Sequence, residues 1–158
     1  MRTTAHPVSL TKMSLTSEEA QRLQQAATQA AENAYAPYSN FRVGAAILLD
    51  DRSIVTGCNV ENASFGLTIC AERSAMVRAV SEKGPHVRVA AIAIDNLNGA
   101  PSSPCGACRQ VLSEFAQEDA MVFFPTGSGN AVSGMENRPF FDLFPFSFAL
   151  AKSPSEPS

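Results

Sequence analysis

The chain has 158 residues and a mass of 16.8 kDa, enough for one hydrophobic core and too little for two independent ones. A hydrophobic fraction of 45% with a charged fraction of only 17% excludes disorder over most of its length. A net charge of -3 and a pI near 5.3 exclude the basic field that nucleic acid or an acidic membrane surface attracts, and favour a small neutral ligand.

No apolar run approaches the ~18 residues that cross a bilayer, so no membrane partner is expected. Met1 to Lys12 holds Arg2 but no apolar block of secretory type, which makes the cytoplasm the default location. Met13, followed by Ser14-Leu15-Thr16-Ser17-Glu18-Glu19, reads as a fresh start. The expected organisation is therefore a flexible tail over 1–12, one domain over 13–150 and a second flexible tail over 151–158.

Ser17-Glu18-Glu19 resembles a helix start, and Leu23, Ala26, Ala27, Ala30, Ala31 and Ala34 recur at helical spacing up to Pro37. A first helix over 17–35 is predicted. Alternation of Phe41, Val43, Ala45, Ile47 and Leu49 predicts a strand ending at Asp50-Asp51, and Ser53 to Val60 answers it across a short antiparallel connection. A second helix begins near Thr68, with Ile69, Met76, Val77 and Val80 on one side, and stops at Gly84-Pro85. Val87 to Asp95 reads as a buried strand, and Pro104 to Phe115 as a third helix. A strand over Met121 to Phe124 precedes the turn Gly127-Ser128-Gly129-Asn130, and another short strand is expected before Phe140 to Phe148. This alternation predicts an α/β fold of three α/β/α layers around a mixed sheet of about five strands.

Cys70 falls at the start of the second helix, and Cys105 and Cys108 form a C-x-x-C at the start of the third. With no export signal, four cysteines argue for thiols or metal ligands over disulfides. Helix N-termini carry unpaired N–H groups and a partial positive charge, which stabilise the thiolate that zinc requires. Three protein ligands on zinc leave a fourth corner for water, the mark of a catalytic site. Cys58 is the one further sulfur, and a closed four-thiolate structural module remains the alternative if it ligates.

Three thiolates leave the site with about one excess negative charge, which would blunt a dication's acidity. Arg73 and Arg109 each closely follow a ligand cysteine, and their guanidinium groups could draw off that charge. Glu72, two residues after Cys70, is placed to shuttle protons. Cys70-Ala71-Glu72, followed 35 residues after Cys70 by Pro104-Cys105-Gly106-Ala107-Cys108, matches the zinc deaminase signature with Cys in place of its first His.

At these blocks the chain resembles the cytidine deaminase family, in its small three-cysteine form, over roughly residues 17–150. The resemblance is carried also by Tyr38-Ser39-Asn40-Phe41-Arg42-Val43-Gly44-Ala45-Ala46, by Gly57-Cys58-Asn59-Val60-Glu61-Asn62-Ala63, by Cys70-Ala71-Glu72-Arg73 and by Arg109-Gln110 after the C-x-x-C. It implies one zinc ion per subunit on Cys70, Cys105 and Cys108, with Glu72 moving protons and Arg73 and Arg109 tempering the thiolates. It implies a nucleoside substrate, cytidine or deoxycytidine, deaminated to the uridine in pyrimidine salvage. Asn59 and Glu61 would hold the sugar hydroxyls, and Phe41 and Ala71 would border the pocket. Phe148, in Leu143-Phe144-Pro145-Phe146-Ser147-Phe148, would stack on the pyrimidine in a neighbouring subunit of a homotetramer. Phe65 stands where many relatives carry Tyr, and Phe123 to Phe141 follows the family only loosely. Another aminopyrimidine nucleoside, as in blasticidin S deaminase, is the other substrate to weigh, and Asn59-Val60-Glu61-Asn62 argues for a plain nucleoside.

Overall fold

The structure is a computed structural model of the whole chain and describes residues 15–128 and 131–150. The two expected tails over 1–12 and 151–158, and Gly129 and Asn130 of the expected turn, lie outside the described residues.

Thr16 starts the first helix, α1 (Ser17–Ala31), through a capping box: its hydroxyl accepts from the Glu19 N–H while the Glu19 carboxylate accepts from the Thr16 N–H. The cap thus lies one residue before the Ser17 start read from the sequence. The helix ends at Ala31, short of the predicted residue 35. Residues 33 and 34 close in tight turns, and Tyr35 is drawn into a bridge with Val60, donating to the Asn59 carbonyl and accepting from the Glu61 N–H. A tertiary pairing outweighs the helical propensity of Ala34.

Strands β1 (Val43–Leu49) and β2 (Ile54–Cys58) form the predicted antiparallel hairpin, with Ala46 opposite Thr56. A single 3-10 turn at Phe65–Leu67 precedes helix α2 (Ala71–Lys83), which Gly84 terminates at φ 91°. Strand β3 (Val89–Asn96), helix α3 (Gly106–Ser113), strands β4 (Ala116–Ser128) and β5 (Ala131–Pro139), and the short helix α4 (Phe140–Leu143) complete the chain. β4 is far longer than the Met121 to Phe124 read from the sequence, because its start pairs with β3 at Val89 and its stretch from Met121 to Ser128 pairs with β5 on the other side. The sheet order is β2-β1-β3-β4-β5, with β3 and β4 parallel and every other pair antiparallel. The five strands and three layers match the predicted architecture.

Strand alternation divides the core in two. Ala46, Leu48, Ala91 and Ala93 face α1, where Leu23 and Ala27 are fully buried. Ala45, Ile47, Leu49, Ile92 and Ile94 face the other way, onto Ala71, Ala75, Met76 and Ala79 of α2, Leu112 of α3 and Phe140 of α4. Both helical layers sit very close to the sheet. A Cβ on Gly44 would come within 2.0 Å of the Ala27 carbonyl, and one on Gly57 within 2.3 Å of the Ala75 nitrogen. That closeness explains a correction on α2: its buried stripe is made of alanines and Met76, while Val77, read as an inward residue, is 68% exposed.

Candidate metal centre and active site

The sheet places the site. β2 and β3 both run toward the edge where β1 begins, since Gly44 pairs with Cys58 and Val43 with Asn96. The chain leaves both strands at that edge and enters α2 and α3 on the same face, so two helix N-termini point to one place, at the carboxyl ends of neighbouring strands. Cys70 is the N-cap of α2, Cys105 is the N-cap of α3, and Cys108 lies in the first turn of α3. Neither N-cap cysteine spends its side chain on a capping hydrogen bond, which leaves the sulfur free for another partner.

The three Sγ atoms lie within 4.8 Å of one another, with Cys70 to Cys105 at 4.0 Å and Cys105 to Cys108 at 3.4 Å. Sulfurs bound tetrahedrally at ~2.3 Å from zinc stand ~3.8 Å apart, so the observed triangle has the size of a zinc site. The donor set fits as well: soft thiolates select zinc over magnesium or calcium. Cys58 is outside this cluster. The closed four-thiolate module therefore lacks its fourth sulfur here.

Electrostatics favour ionisation at the first ligand. Hydrogen bonding from the Cys108 thiol, helped by the Arg73 guanidinium, brings Cys70 down to about 5 despite partial burial. Cys108 moves the opposite way, because its proton is held by Cys70 and burial disfavours its charge. One proton shared between Cys70 and Cys108 accounts for both directions, and a cation placed among the sulfurs would release it. Arg73 Nη2 lies 3.6 Å from Cys70 Sγ and 3.1 Å from the Thr68 carbonyl. Arg109 does not share this geometry: its Nε donates to the Pro104 carbonyl and its Nη1 to the Leu143 carbonyl, both at 2.7 Å. It ties the start of α3 to the C-terminal segment, a partner with no local sequence signal.

Glu72 is 5% exposed on the first turn of α2, and burial raises its carboxyl above the usual carboxylate range. A buried carboxyl whose hold on its proton is strengthened, beside a metal site, has the makings of a general acid and base. Ala71 is fully buried, so any contact it makes with a ligand would run through its main-chain N–H at the open helix start.

The residues expected to hold a sugar fall in a separate but adjoining region. A cavity of about 390 Å³ is lined by Tyr38, Ser39, Glu61, Asn62, Phe65 and Thr68, and Thr68 is also the residue whose carbonyl holds Arg73. The Glu61 carboxylate accepts from the Tyr38 N–H at 2.9 Å, the Ser39 N–H at 3.2 Å and the Ser39 hydroxyl. The Ser39 hydroxyl is the main reason the pKa of Glu61 lies below the ordinary carboxylate range. Asn59 is buried with its amide turned to the backbone: Oδ1 accepts from the Val43 N–H at 2.9 Å and Nδ2 donates to the Phe41 carbonyl at 2.8 Å. Phe41 is half-buried on that segment. Phe148 is exposed, and its carbonyl accepts from Gln110 Nε2. Ser39 was missed by sequence reasoning, although a hydroxyl directly before the Asn40 turn is the available signal.

Residues 17–124 match the family described as the cytidine and deoxycytidylate deaminase zinc-binding region. The chain belongs to this family. It is 44% identical over 122 residues to the cytidine deaminase of Halalkalibacterium halodurans, covering 77% of this chain and 88% of that protein. Against the cytidine deaminase of Mycobacterium tuberculosis it is 45% identical over 130 residues, covering 82% and 90%. The crystal structure of cytidine deaminase from Burkholderia pseudomallei superposes with a TM-score of 0.70 at 43% identity, over 81% of this chain and 98% of that one. Among the described residues no helix is long and apolar enough to cross a membrane.

Proposed function

We propose that this deaminase converts cytidine and deoxycytidine, with water, to uridine and deoxyuridine and ammonia. The observation that carries the reading is the thiol triangle at two helix starts with buried Glu72 one helical step away. Cys70, Cys105 and Cys108 would hold the zinc ion, whose Lewis acidity makes water nucleophilic at neutral pH. Glu72 would take one proton from the attacking water and deliver it to the ring nitrogen next to the amine-bearing carbon, which becomes electrophilic as the remaining hydroxide adds to it. The same carboxyl would then take the second proton from the newly added hydroxyl and pass it to the amine, which leaves as ammonia as the carbonyl forms, so both protons of the water are accounted for. Arg73 holds part of the sulfur charge through Cys70.

Glu61 and Asn59 would receive the sugar hydroxyls. Glu61 is held ionised by Tyr38 and Ser39 and suits a hydroxyl donor, whereas Asn59 has one Nδ2 hydrogen beyond its bond to Phe41. Phe41 and the Ala71 main chain border the base. Phe148, Phe146, Leu67 and Phe65 are each exposed apolar side chains, which supports a homotetramer in which Phe148 reaches a neighbouring subunit's substrate. The reading places a single domain over 13–150 in the cytoplasm.

An ultraviolet assay of the purified, zinc-replete protein tests the activity. Cytidine absorbance should shift to that of uridine, and chelation should stop the change. No turnover of either cytidine or deoxycytidine by metal-replete protein would overturn the substrate assignment.

A further inference from the structure

The segment that leaves the cavity wall after Ser39 is held from outside by a residue that the chemistry does not touch. The β1–β3 ladder runs to Val43 opposite Asn96 and continues one step further, with the Leu97 N–H donating to the Arg42 carbonyl at 3.0 Å. There the backbone of the β3–α3 connection turns away, and a side chain takes over its pairing. Asn98 Oδ1 accepts from the Arg42 N–H at 3.0 Å, and Asn98 Nδ2 donates to the Asn40 carbonyl at 2.9 Å. One primary amide thus presents the acceptor and donor that a neighbouring strand's peptide would have presented.

Its target is a demanding stretch of chain. Asn40 adopts φ 55°, which turns the segment sharply between Ser39, on the cavity, and Phe41. From the other edge Asn59 clamps the next pair, the Phe41 carbonyl and the Val43 N–H. Residues 40–43 therefore lie between two asparagine amides. Asn98 is itself held: the Asn96 side chain accepts from the Asn98 and Ala100 N–H groups and donates to the Ala100 carbonyl and the Ser102 hydroxyl. That bonded loop leads directly to Pro104, fully buried, and to Cys105.

We propose that Asn98 is a positioning residue that splints residues 40–42, the segment leaving Ser39 of the cavity wall, to the loop presenting Cys105, and so sets the fit of the nucleoside. The inference rests on the cytidine reading above. Because the Asn98 bonds are solvent-exposed, their loss costs the fold little, whereas loosening Ser39 and Phe41 weakens substrate binding.

The test is Asn98→Ala in the zinc-loaded protein. KM for cytidine should rise by about five-fold, the scale of one lost neutral hydrogen bond, while kcat stays within about two-fold. Independently of activity, hydrogen exchange of the Arg42 amide should speed up at least about ten-fold while the Ala45 to Leu49 amides stay protected. An unchanged Arg42 exchange rate, or an unchanged KM, overturns the proposal, and so does a fall in kcat with KM intact. Wild-type protein that fails to deaminate cytidine would overturn the activity instead, and the Arg42 exchange result would still judge the splint.

Discussion

Cys70, Cys105 and Cys108 stand on helix starts backed by Ala71, Ala75 and Leu112, all fully buried, whereas Phe65, Phe146 and Phe148 are 78%, 102% and 67% exposed with little of this chain against them. The contrast separates two kinds of work. Holding a metal and moving protons needs fixed distances, and one chain's sheet and two helices supply them. Stacking on the flat face of a pyrimidine, the role proposed for Phe148, needs an aromatic ring free to meet it, and these rings are left uncovered. A second copy that receives Phe148 is the arrangement that the proposed assembly requires.

The contrast predicts very unequal outcomes. Replacing Cys105 by Ala removes one of three sulfurs on a centre that no other cysteine can repair. Zinc content measured after purification should fall well below one per chain, and cytidine turnover should drop below detection. Retention of stoichiometric zinc would show that the trio is not the site.

Gly44→Ala attacks the scaffold without touching the chemistry. A Cβ 2.0 Å from the Ala27 carbonyl must push α1 off the sheet, and overpacking of this kind costs about 1–3 kcal/mol. Urea unfolding should show the lower midpoint, and an unchanged midpoint would mean that α1 is not seated as described.

Phe148→Ala probes the uncovered side. Zinc content and thermal stability should match the wild type, while KM for cytidine rises severalfold, by roughly the 1 kcal/mol of an aromatic contact. An unaltered KM would remove Phe148 from substrate binding.

The smallest effect is on pH. In metal-free protein the Cys108 and Arg73 hydrogen bonds bring the pKa of Cys70 from the ordinary thiol value of 9.0 down to about 5, so its thiolate persists through that window. Because the folded group gives up its proton more readily than the unfolded one, it adds stability above pH 9 that is lost as pH falls toward 5. Alkylation of Cys70 by iodoacetamide should accordingly continue at pH 6 and fade near pH 5. Fading already at pH 8 would contradict the Arg73 and Cys108 contacts.

How far these features could be read beforehand followed from how local their causes are. The hairpin of β1 and β2 and the placing of Cys70 and Cys105 at helix starts depend on alternation, caps and short connections and hold, although α2 and α3 begin at Ala71 and Gly106, a few residues after the expected Thr68 and Pro104. The end of α1 could not be read, because Tyr35 leaves the helix for a partner 25 residues away. Val77 misled for a related reason: the inward face of α2 is set by Gly57 pressed beneath it, which favours alanine and leaves the larger residue outside. The reach of β4 depends on β5, whose composition carries little strand signal. At the site, the ends of the Arg109 and Asn59 side chains were equally hidden, since each chose a backbone partner distant in the chain.

The most direct test is a paired measurement on Glu72→Gln: zinc per chain and cytidine turnover in the same preparation. Glutamine keeps the shape of the carboxyl and loses its proton chemistry, so zinc should remain at one per chain while turnover falls by about 10³. Turnover within tenfold of the wild type would contradict the role of Glu72, and loss of zinc together with activity would make that side chain part of the metal's grip.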